Sequence, residues 1–133
     1  MRMELQATPQ EVMRAVEALQ EFGRAEKVPD RILHGLALAL EECGCNIVTH
    51  ALGNDSRKKF RVAVERQTSR ILIELRDRGP EFDLTGFRRP ATPAADDDLC
   101  GGWGIQIVRR YTDTIRYRRE GDENVLLLIK HLE

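Results

Sequence analysis

Three separate parts of this sequence carry groups that could do chemistry. Glu42 and Asn46 lie four residues apart in an apolar stretch, Asp77 stands shortly before Gly79 at the end of an alternating segment, and glycines cluster at 101–104. A carboxylate beside an amide can hold a hard cation and accept a proton. Backbone amides at the start of a helix can bind phosphate oxygens. What each group can do depends on the element that positions it.

The first part lies on a predicted long helix that begins at Pro29 and stops at Gly53. Glu42, Asn46 and His50 share one face of this helix, because residues four apart lie one above the other. A buried carboxylate and amide are costly unless something binds them, which favours a magnesium ion and a proton-accepting role. The alternative is an ordinary solvent-facing polar stripe. The helix is predicted from the apolar spacing of Ile32, Leu36, Leu40, Cys43 and Ile47.

The second part ends a predicted strand. Ile71, Ile73 and Leu75 alternate with more polar residues, and the same parity turns Asp77 towards the buried face. Gly79 then helps to break the strand. Asp77 either begins a turn or accepts a hydrogen bond from an exocyclic amine of a ligand, with Gly79 allowing that ligand close to the backbone.

The third part follows a segment, 88–99, whose prolines and acids predict a loop. Gly101, Gly102 and Gly104 open an apolar helix, and their amides are predicted to bind phosphate oxygens at its positive end. A flexible hinge would have the same composition. Asp96, Asp97 and Asp98 precede the glycines and should repel a polyphosphate, so we expect them either to hold this loop open or to be merely solvated.

The remaining pattern predicts an α+β fold in one domain, residues 1–133. Thr8 and Glu11 form a capping box for a first helix, which Gly23 is expected to end or loosen. A weak edge strand precedes it, and the last predicted strand, 125–129, is apolar on both faces and therefore internal. We expect a two-layer α/β sandwich with a mixed, mostly antiparallel sheet, covered by helices on one face.

Composition excludes several classes of protein. The net charge of -1 gives no electrostatic footprint for nucleic acid or an anionic membrane. No apolar run is expected to span a membrane, and the N-terminus lacks a signal pattern. Cys43, Cys45 and Cys100 are expected to be reduced thiols of a cytoplasmic protein.

Taken together, the motifs resemble those of the GHKL ATPase superfamily, which has the Bergerat fold, and within it the anti-sigma factor serine/threonine kinases. Three boxes in register carry the resemblance over nearly the whole chain. They are Glu42-Cys43-Gly44-Cys45-Asn46 with His50-Ala51, Asp77-Arg78-Gly79-Pro80-Glu81-Phe82-Asp83, and Gly101-Gly102-Trp103-Gly104-Ile105 with Arg109-Arg110 and Asp113.

The resemblance implies roles for individual residues. Asn46 would bind the Mg²⁺ that bridges the ATP phosphates, Asp77 would accept from the adenine amine, and Glu42 would be the general base. Glu41 is not expected to contribute, since it lies about 100° around the helix. The resemblance places the following residues in the nucleotide site: Asn46, Asp77, Gly79, Phe82, Gly101, Gly102, Gly104 and Ile105.

The function that the resemblance implies is transfer of the ATP γ-phosphate to a serine of a STAS-domain anti-sigma antagonist. It also implies a homodimer that otherwise sequesters a sigma factor or a similar target. Two alternatives remain open: a nucleotide-dependent binding module without phosphoryl transfer, and a histidine kinase ATPase domain.

Overall fold

The computed structural model describes residues 1–86 and 104–132. The order of elements is close to the expected one, with an edge strand, two helices, two strands, a third helix and a final hairpin. The elements are β1 (Arg2–Gln6), α1 (Pro9–Ala25), α2 (Asp30–Asn46), a π-helical turn (Ile47–Ala51), β2 (Lys59–Arg66), β3 (Arg70–Asp77), a 3-10 turn (Leu84–Gly86), α3 (Ile105–Tyr111), β4 (Thr114–Glu120) and β5 (Glu123–His131).

The five strands form one sheet in the order β1-β2-β3-β5-β4. Every neighbouring pair among the described strands is antiparallel, so the sheet is antiparallel throughout and the expected α+β class is confirmed. β5 is internal, as its apolar sequence predicted, and β1 is an edge. The register places Asp77 opposite Phe60 of β2 and Asn124 of β5.

One face of the sheet packs against the helices, while the other is polar. Phe60, Val62 and Val64 of β2 are buried, whereas the residues between them are more exposed. The polar face carries ion pairs, including those of Arg76 with Glu74 and Glu120. A hollow of about 470 Å³ on this face contains none of the candidate site residues.

Only the Thr8 half of the predicted capping box is present at the start of α1, because Glu11 reaches the Gln6 amide instead of the Thr8 amide, and the helix is longer than predicted. The amide of Glu11 donates to the Thr8 hydroxyl at 3.2 Å, and the Glu11 carboxylate accepts from the Gln6 amide at 3.3 Å. The expectation that Gly23 ends the helix is wrong. Gly23 lies inside α1, where a Cβ would meet a methyl carbon of Leu33 at 2.4 Å, so it permits close packing of two helices.

α2 is the core element, and its continuation changes pitch. Pro29 is its N-cap rather than its first residue, and Gly53, with φ of 62°, lies beyond the π-helical turn. That turn breaks the predicted polar column, because Glu42 and Asn46 are buried while His50 is exposed.

By length and composition, the helix from Asp30 to Ala51 could cross a membrane, contrary to the expectation that no run would be long enough. In this fold 78% of its most apolar window is buried within the domain. The helix is therefore the core of the layer above the sheet.

The cysteine prediction is confirmed for one residue and wrong for another. Cys43 is a free, buried thiol whose pKa is raised well above its usual value by burial and by the nearby Glu42 carboxylate. Cys45 is disulfide-bonded. Cys100 lies outside the described residues.

α3 packs against α2 through a close contact at Gly35. A Cβ at this position would meet the Cδ1 of Tyr111 at 2.4 Å and its Cγ at 2.8 Å. These are atoms at the base of the ring, which cannot move without shifting α3.

We expect Gly35→Ala to lower the free energy of unfolding by about 1 kcal/mol, since overpacking of about 1–3 kcal/mol exceeds the gain of about 1 kcal/mol in helix propensity. Urea denaturation measures the change. His34→Ala is the matched control, because His34 is exposed on the same turn and should change stability little. A Gly35→Ala protein at least as stable as the wild type would contradict the close packing.

Candidate functional site

Glu42 brings the first and third predicted parts of the site together. Its Oε1 accepts from the Asn46 side-chain amide at 3.3 Å and from the backbone amide of Gly104 at 2.6 Å. Glu42 is 3% exposed and Asn46 is 4% exposed. The interpretation of these two residues as a solvent-facing stripe is therefore excluded, and the carboxylate lies at the start of α3.

Gly104 adopts a conformation that other residues rarely take. Its φ of 67° and ψ of -154° place it at the N-cap of α3, where glycine has no steric penalty. Its amide was expected to be free for a phosphate oxygen, but in this structure it donates to Glu42. A phosphate can use the Gly104 amide only after this hydrogen bond breaks.

Asp77 is buried at the end of β3, as the strand parity predicted. It is 4% exposed, and its Oδ1 accepts from the Gly79 amide and from the Asn124 side-chain amide, both at 2.9 Å. Burial raises the pKa of Asp77 above its usual value, while the hydrogen bonds from Asn124 and Gly79 and the nearby Arg119 guanidinium oppose the rise. Asp77 organises the turn, as one interpretation expected, and its role as an acceptor for a ligand amine stays a prediction.

Asn124 is a site residue that sequence analysis missed. Its Nδ2 donates to Asp77 and also to the Pro80 carbonyl oxygen at 2.9 Å. Its Oδ1 accepts from the Phe82 amide at 3.1 Å, the Tyr117 hydroxyl at 2.6 Å and the Arg119 guanidinium at 3.1 Å. The signal available in the sequence was a lone amide at the start of the apolar strand β5.

Gly79 is required by the packing of the chain itself. A Cβ there would meet the Ala51 carbonyl oxygen at 2.5 Å, at the end of the π-helical turn. Arg119 also donates to the Gly79 carbonyl oxygen at 2.8 Å. The segment after Asp77 therefore packs against the π-helical turn that follows α2, and a hydrogen bond from Arg119 also holds it to the β4–β5 hairpin.

A small cavity of about 10 Å³ lies between α2 and the ends of β3 and β5. Such a volume holds about one water molecule and is far below the roughly 300–1,000 Å³ of ligand pockets. A molecule as large as a nucleobase could enter only if the segment with Phe82 and Leu84 moved outward. The cavity is lined by Cys43, Asn46, Ile47, Leu75, Asp77, Phe82, Leu84, Asn124 and Leu126.

The other predicted residues are placed as follows. The Phe82 ring lies beside the His50 ring, with 5.8 Å between their centroids, at the rim of the cavity. Ile105 is buried in the first turn of α3. Gly101 and Gly102, and the acidic residues Asp96, Asp97 and Asp98, lie outside the described residues.

The donor set around Asn46 fits the Mg²⁺ that the resemblance implies. Within the described residues, no cluster of three histidine, cysteine or carboxylate side chains could hold a metal ion by itself. Mg²⁺ needs no such cluster, because it commonly uses one or two protein oxygens together with substrate phosphates and water. The Asn46 Nδ2 donates to Glu42, which leaves its Oδ1 as a hard oxygen ligand.

Comparison with known proteins agrees with this architecture. Residues 5–130 match the histidine kinase-like ATPase domain family. The chain belongs to this family, and the resemblance to GHKL ATPases is confirmed. ATP is therefore the nucleotide for this class of domain.

Individual relatives are more distant. The chain is 24% identical over 130 residues to the serine/threonine-protein kinase BtrW of Bordetella bronchiseptica, covering 97% of this chain and 92% of that protein. This relative supports an ATP-dependent kinase as the general activity.

Two solved structures have a TM-score of 0.71 to this chain. One contains the RsbU and RsbW domains of Rv1364c from Mycobacterium tuberculosis, at 16% identity, and the match covers 99% of this chain but 31% of that one. The other is the SiaB–SiaC complex from Pseudomonas aeruginosa, at 14% identity, with 97% and 88% covered. At these identities the likeness shows the fold.

We expect Asn124→Ala to raise the pKa of Asp77 by about one to two units, since a hydrogen bond to a charged group contributes about 1.5–3 kcal/mol and one unit corresponds to about 1.4 kcal/mol. A carboxyl-carbon NMR titration measures it. Tyr117→Phe is the control, because it removes a donor to Asn124 and keeps the Asn124–Asp77 bond.

The same change has a defined sign in stability. The pKa of Asp77 in the folded protein lies above its unfolded value, which is near 3.8. At a pH above the folded-state pKa, the ionised Asp77 therefore lowers the free energy of unfolding. This cost disappears as the pH falls below the unfolded value. The cost should be larger in Asn124→Ala. An unchanged Asp77 titration in that variant would contradict the role of Asn124.

Proposed function

We propose that this chain, as a single domain spanning 1–133, is an anti-sigma regulatory factor with serine/threonine protein kinase activity. It transfers the γ-phosphate of ATP to a serine of a STAS-domain anti-sigma antagonist. The observation that carries the proposal is the buried Glu42 carboxylate, held between Asn46 and the Gly104 amide. This contact brings together three groups that the reaction would need: Glu42 as proton acceptor, Asn46 as oxygen ligand for Mg²⁺, and the Gly104 amide at the start of α3.

In the proposed reaction the serine hydroxyl oxygen attacks the γ-phosphorus, and Glu42 accepts the hydroxyl proton. The bond from the γ-phosphorus to its bridging oxygen breaks, and ADP leaves with that electron pair. Phosphoryl transfer depends mainly on in-line positioning and charge neutralisation. Asn46 would hold Mg²⁺, which supplies positive charge to the phosphates when bound, and the amides of Gly101, Gly102 and Gly104 would contact the phosphate oxygens.

Asp77 would accept a hydrogen bond from the adenine amine, with Phe82 and Ile105 contributing apolar surface to the nucleotide site. The proposal draws support from the burial of Asp77 and from the Gly79 and Asn124 donors that fix its orientation. Because these donors use Oδ1, Oδ2 remains the oxygen for a ligand. Gly79 would keep the backbone beside the base free of a side chain.

The proposed partners follow from the resemblance and from the names of the similar proteins. They are a STAS-domain antagonist as substrate and a sigma factor or similar regulatory target, with the chain acting as a homodimer in the cytoplasm. The similarity to a protein named as a serine/threonine kinase supports a protein substrate.

A second candidate is a nucleotide-dependent binding module without phosphoryl transfer. It is favoured by one observation, the engagement of Glu42 Oε1 by two donors. A carboxylate in this position joins α2 to the start of α3, and such a structural role requires no proton transfer.

We expect Glu42→Gln to bind MgATP like the wild type and to transfer phosphate about 10²–10⁴-fold more slowly, which is the usual contribution of a positioned base. The measurement is transfer of labelled γ-phosphate to STAS proteins encoded in the same organism. Glu41→Gln is the matched control, since Glu41 is adjacent but is not held in the contact with Gly104.

The two candidates give different results in this assay. Label on a STAS serine that is lost only in Glu42→Gln supports the kinase with Glu42 as base. Equal transfer by Glu42→Gln removes Glu42 from the mechanism. ATP binding and STAS complex formation without any label would favour the binding module.

A further inference from the structure

A basic groove opens at the end of the helical layer that lies away from Glu42 and Asp77. It has a volume of about 210 Å³. The groove is lined by Arg31, Ile32, Arg110, Tyr111 and Lys130. These residues come from three elements: the start of α2, the end of α3 and the end of β5.

The charge of the groove is largely uncompensated. Arg31 and Arg110 are exposed, and neither forms an ion pair with any residue in the described ranges 1–86 and 104–132. Arg110 lies over the Tyr111 ring, with its guanidinium carbon 5.6 Å from the ring centroid. Lys130 approaches Asp113 at 3.6 Å. Three cations thus face the Asp113 carboxylate, and Asp30 adds a second carboxylate next to Arg31 in the first turn of α2.

The backbone adds to this positive potential. α2 has seventeen residues and begins at the groove, and its N-cap, Pro29, provides no side-chain hydrogen bond. A helix N-terminus without a side-chain cap carries a partial positive charge that favours an anion, and the exposed Asp30 in the first turn offsets part of it. Here that charge adds to three cationic side chains around a cavity.

The floor of the groove is closely packed. Tyr111 packs directly on α2 at Gly35, where a Cβ would meet the Tyr111 Cδ1 at 2.4 Å, and Ile32 is buried. The backbone that carries Arg110 is therefore held by packing on α2, while the Arg31 side chain extends from a regular helix. Such preorganisation lowers the entropy cost of binding.

The groove is distinct from the proposed nucleotide site. Arg31 and Asn46 are fifteen residues apart on the helix, which corresponds to about 22 Å at 1.5 Å per residue. Its shape also differs from that of a site for a free metabolite, since pockets of that kind have about 300–1,000 Å³ and enclose most of the ligand. This groove is smaller and open to solvent, which suits side chains presented on another surface.

We infer that the groove docks an acidic segment of a partner protein, whose carboxylates contact Arg31, Arg110 and Lys130. The match is one of charge complementarity, which determines specificity and association rate more than affinity. Docking at this end would leave the nucleotide site open. The inference does not depend on phosphoryl transfer, and it is tested without nucleotide.

The probe is a fluorescein-labelled hexaglutamate peptide, measured by fluorescence anisotropy at low salt, with hexaglutamine as the neutral peptide. We expect Arg31→Glu/Arg110→Glu to weaken hexaglutamate binding at least about tenfold, because charge reversal replaces attraction with repulsion. Arg31→Gln/Arg110→Gln should weaken it less, in the same direction. Thermal melting of each variant confirms that it is folded.

Arg116→Glu/Arg118→Glu is the matched control. It makes the same change in net charge on exposed residues of β4, and binding should stay within about twofold of the wild type after correction for ionic strength. Equal weakening by this control would show that only overall charge matters and would overturn the inference. So would hexaglutamate binding that the groove variants leave unchanged, or no binding at all.

A competition experiment tests whether the groove binds small anions instead. Inorganic phosphate is added to the complex with labelled hexaglutamate and compared with sodium chloride at equal ionic strength. Phosphate that displaces the peptide no better than chloride supports a docking surface. If phosphate displaces the labelled hexaglutamate at a concentration equal to or lower than that needed with unlabelled hexaglutamate, the groove is a small-anion site. That result would overturn the docking of an acidic segment.

Discussion

The hydrogen bond between Glu42 and the Gly104 amide is the interaction on which the arrangement of the site depends. It joins the buried helix α2 to the start of α3 across sixty-two positions of the chain. A buried carboxylate is costly unless donors satisfy it, so this contact fixes where α3 begins. A phosphate at the same helix start would compete for the same amide. In the proposed function, nucleotide binding would therefore break the hydrogen bond between Glu42 and the Gly104 amide.

A second constraint lies at the ends of the strands. Asp77 can remain buried because Gly79 and Asn124 donate to it, and Asn124 in turn holds the following segment through Pro80 and Phe82. The network defines the floor of a cavity that is closed to anything larger than water. In the proposed function, Phe82 and Leu84 would therefore have to move before a base could enter.

Much of the fold and half of the site follow from local patterns. Strand parity located Asp77 on the buried face, and helical spacing placed Glu42 beside Asn46. Asn124 could not be found in this way, because its importance arises from a strand register that pairs it with Asp77. His50 was misplaced because a π-helical turn changes the pitch, and Gly23 because tertiary packing against Leu33 keeps a glycine inside a helix.

The most direct test of the central claim, that this is an ATP site anchored at Asp77, is the ATP dependence of thermal unfolding in the wild type and in Asp77→Asn. At a hundred times its dissociation constant, ATP should stabilise the wild type by about 2.7 kcal/mol. We expect Asp77→Asn to lose this stabilisation, because an amide cannot replace a carboxylate that accepts from both the protein and the adenine amine. Unchanged ATP-dependent melting in Asp77→Asn would contradict it.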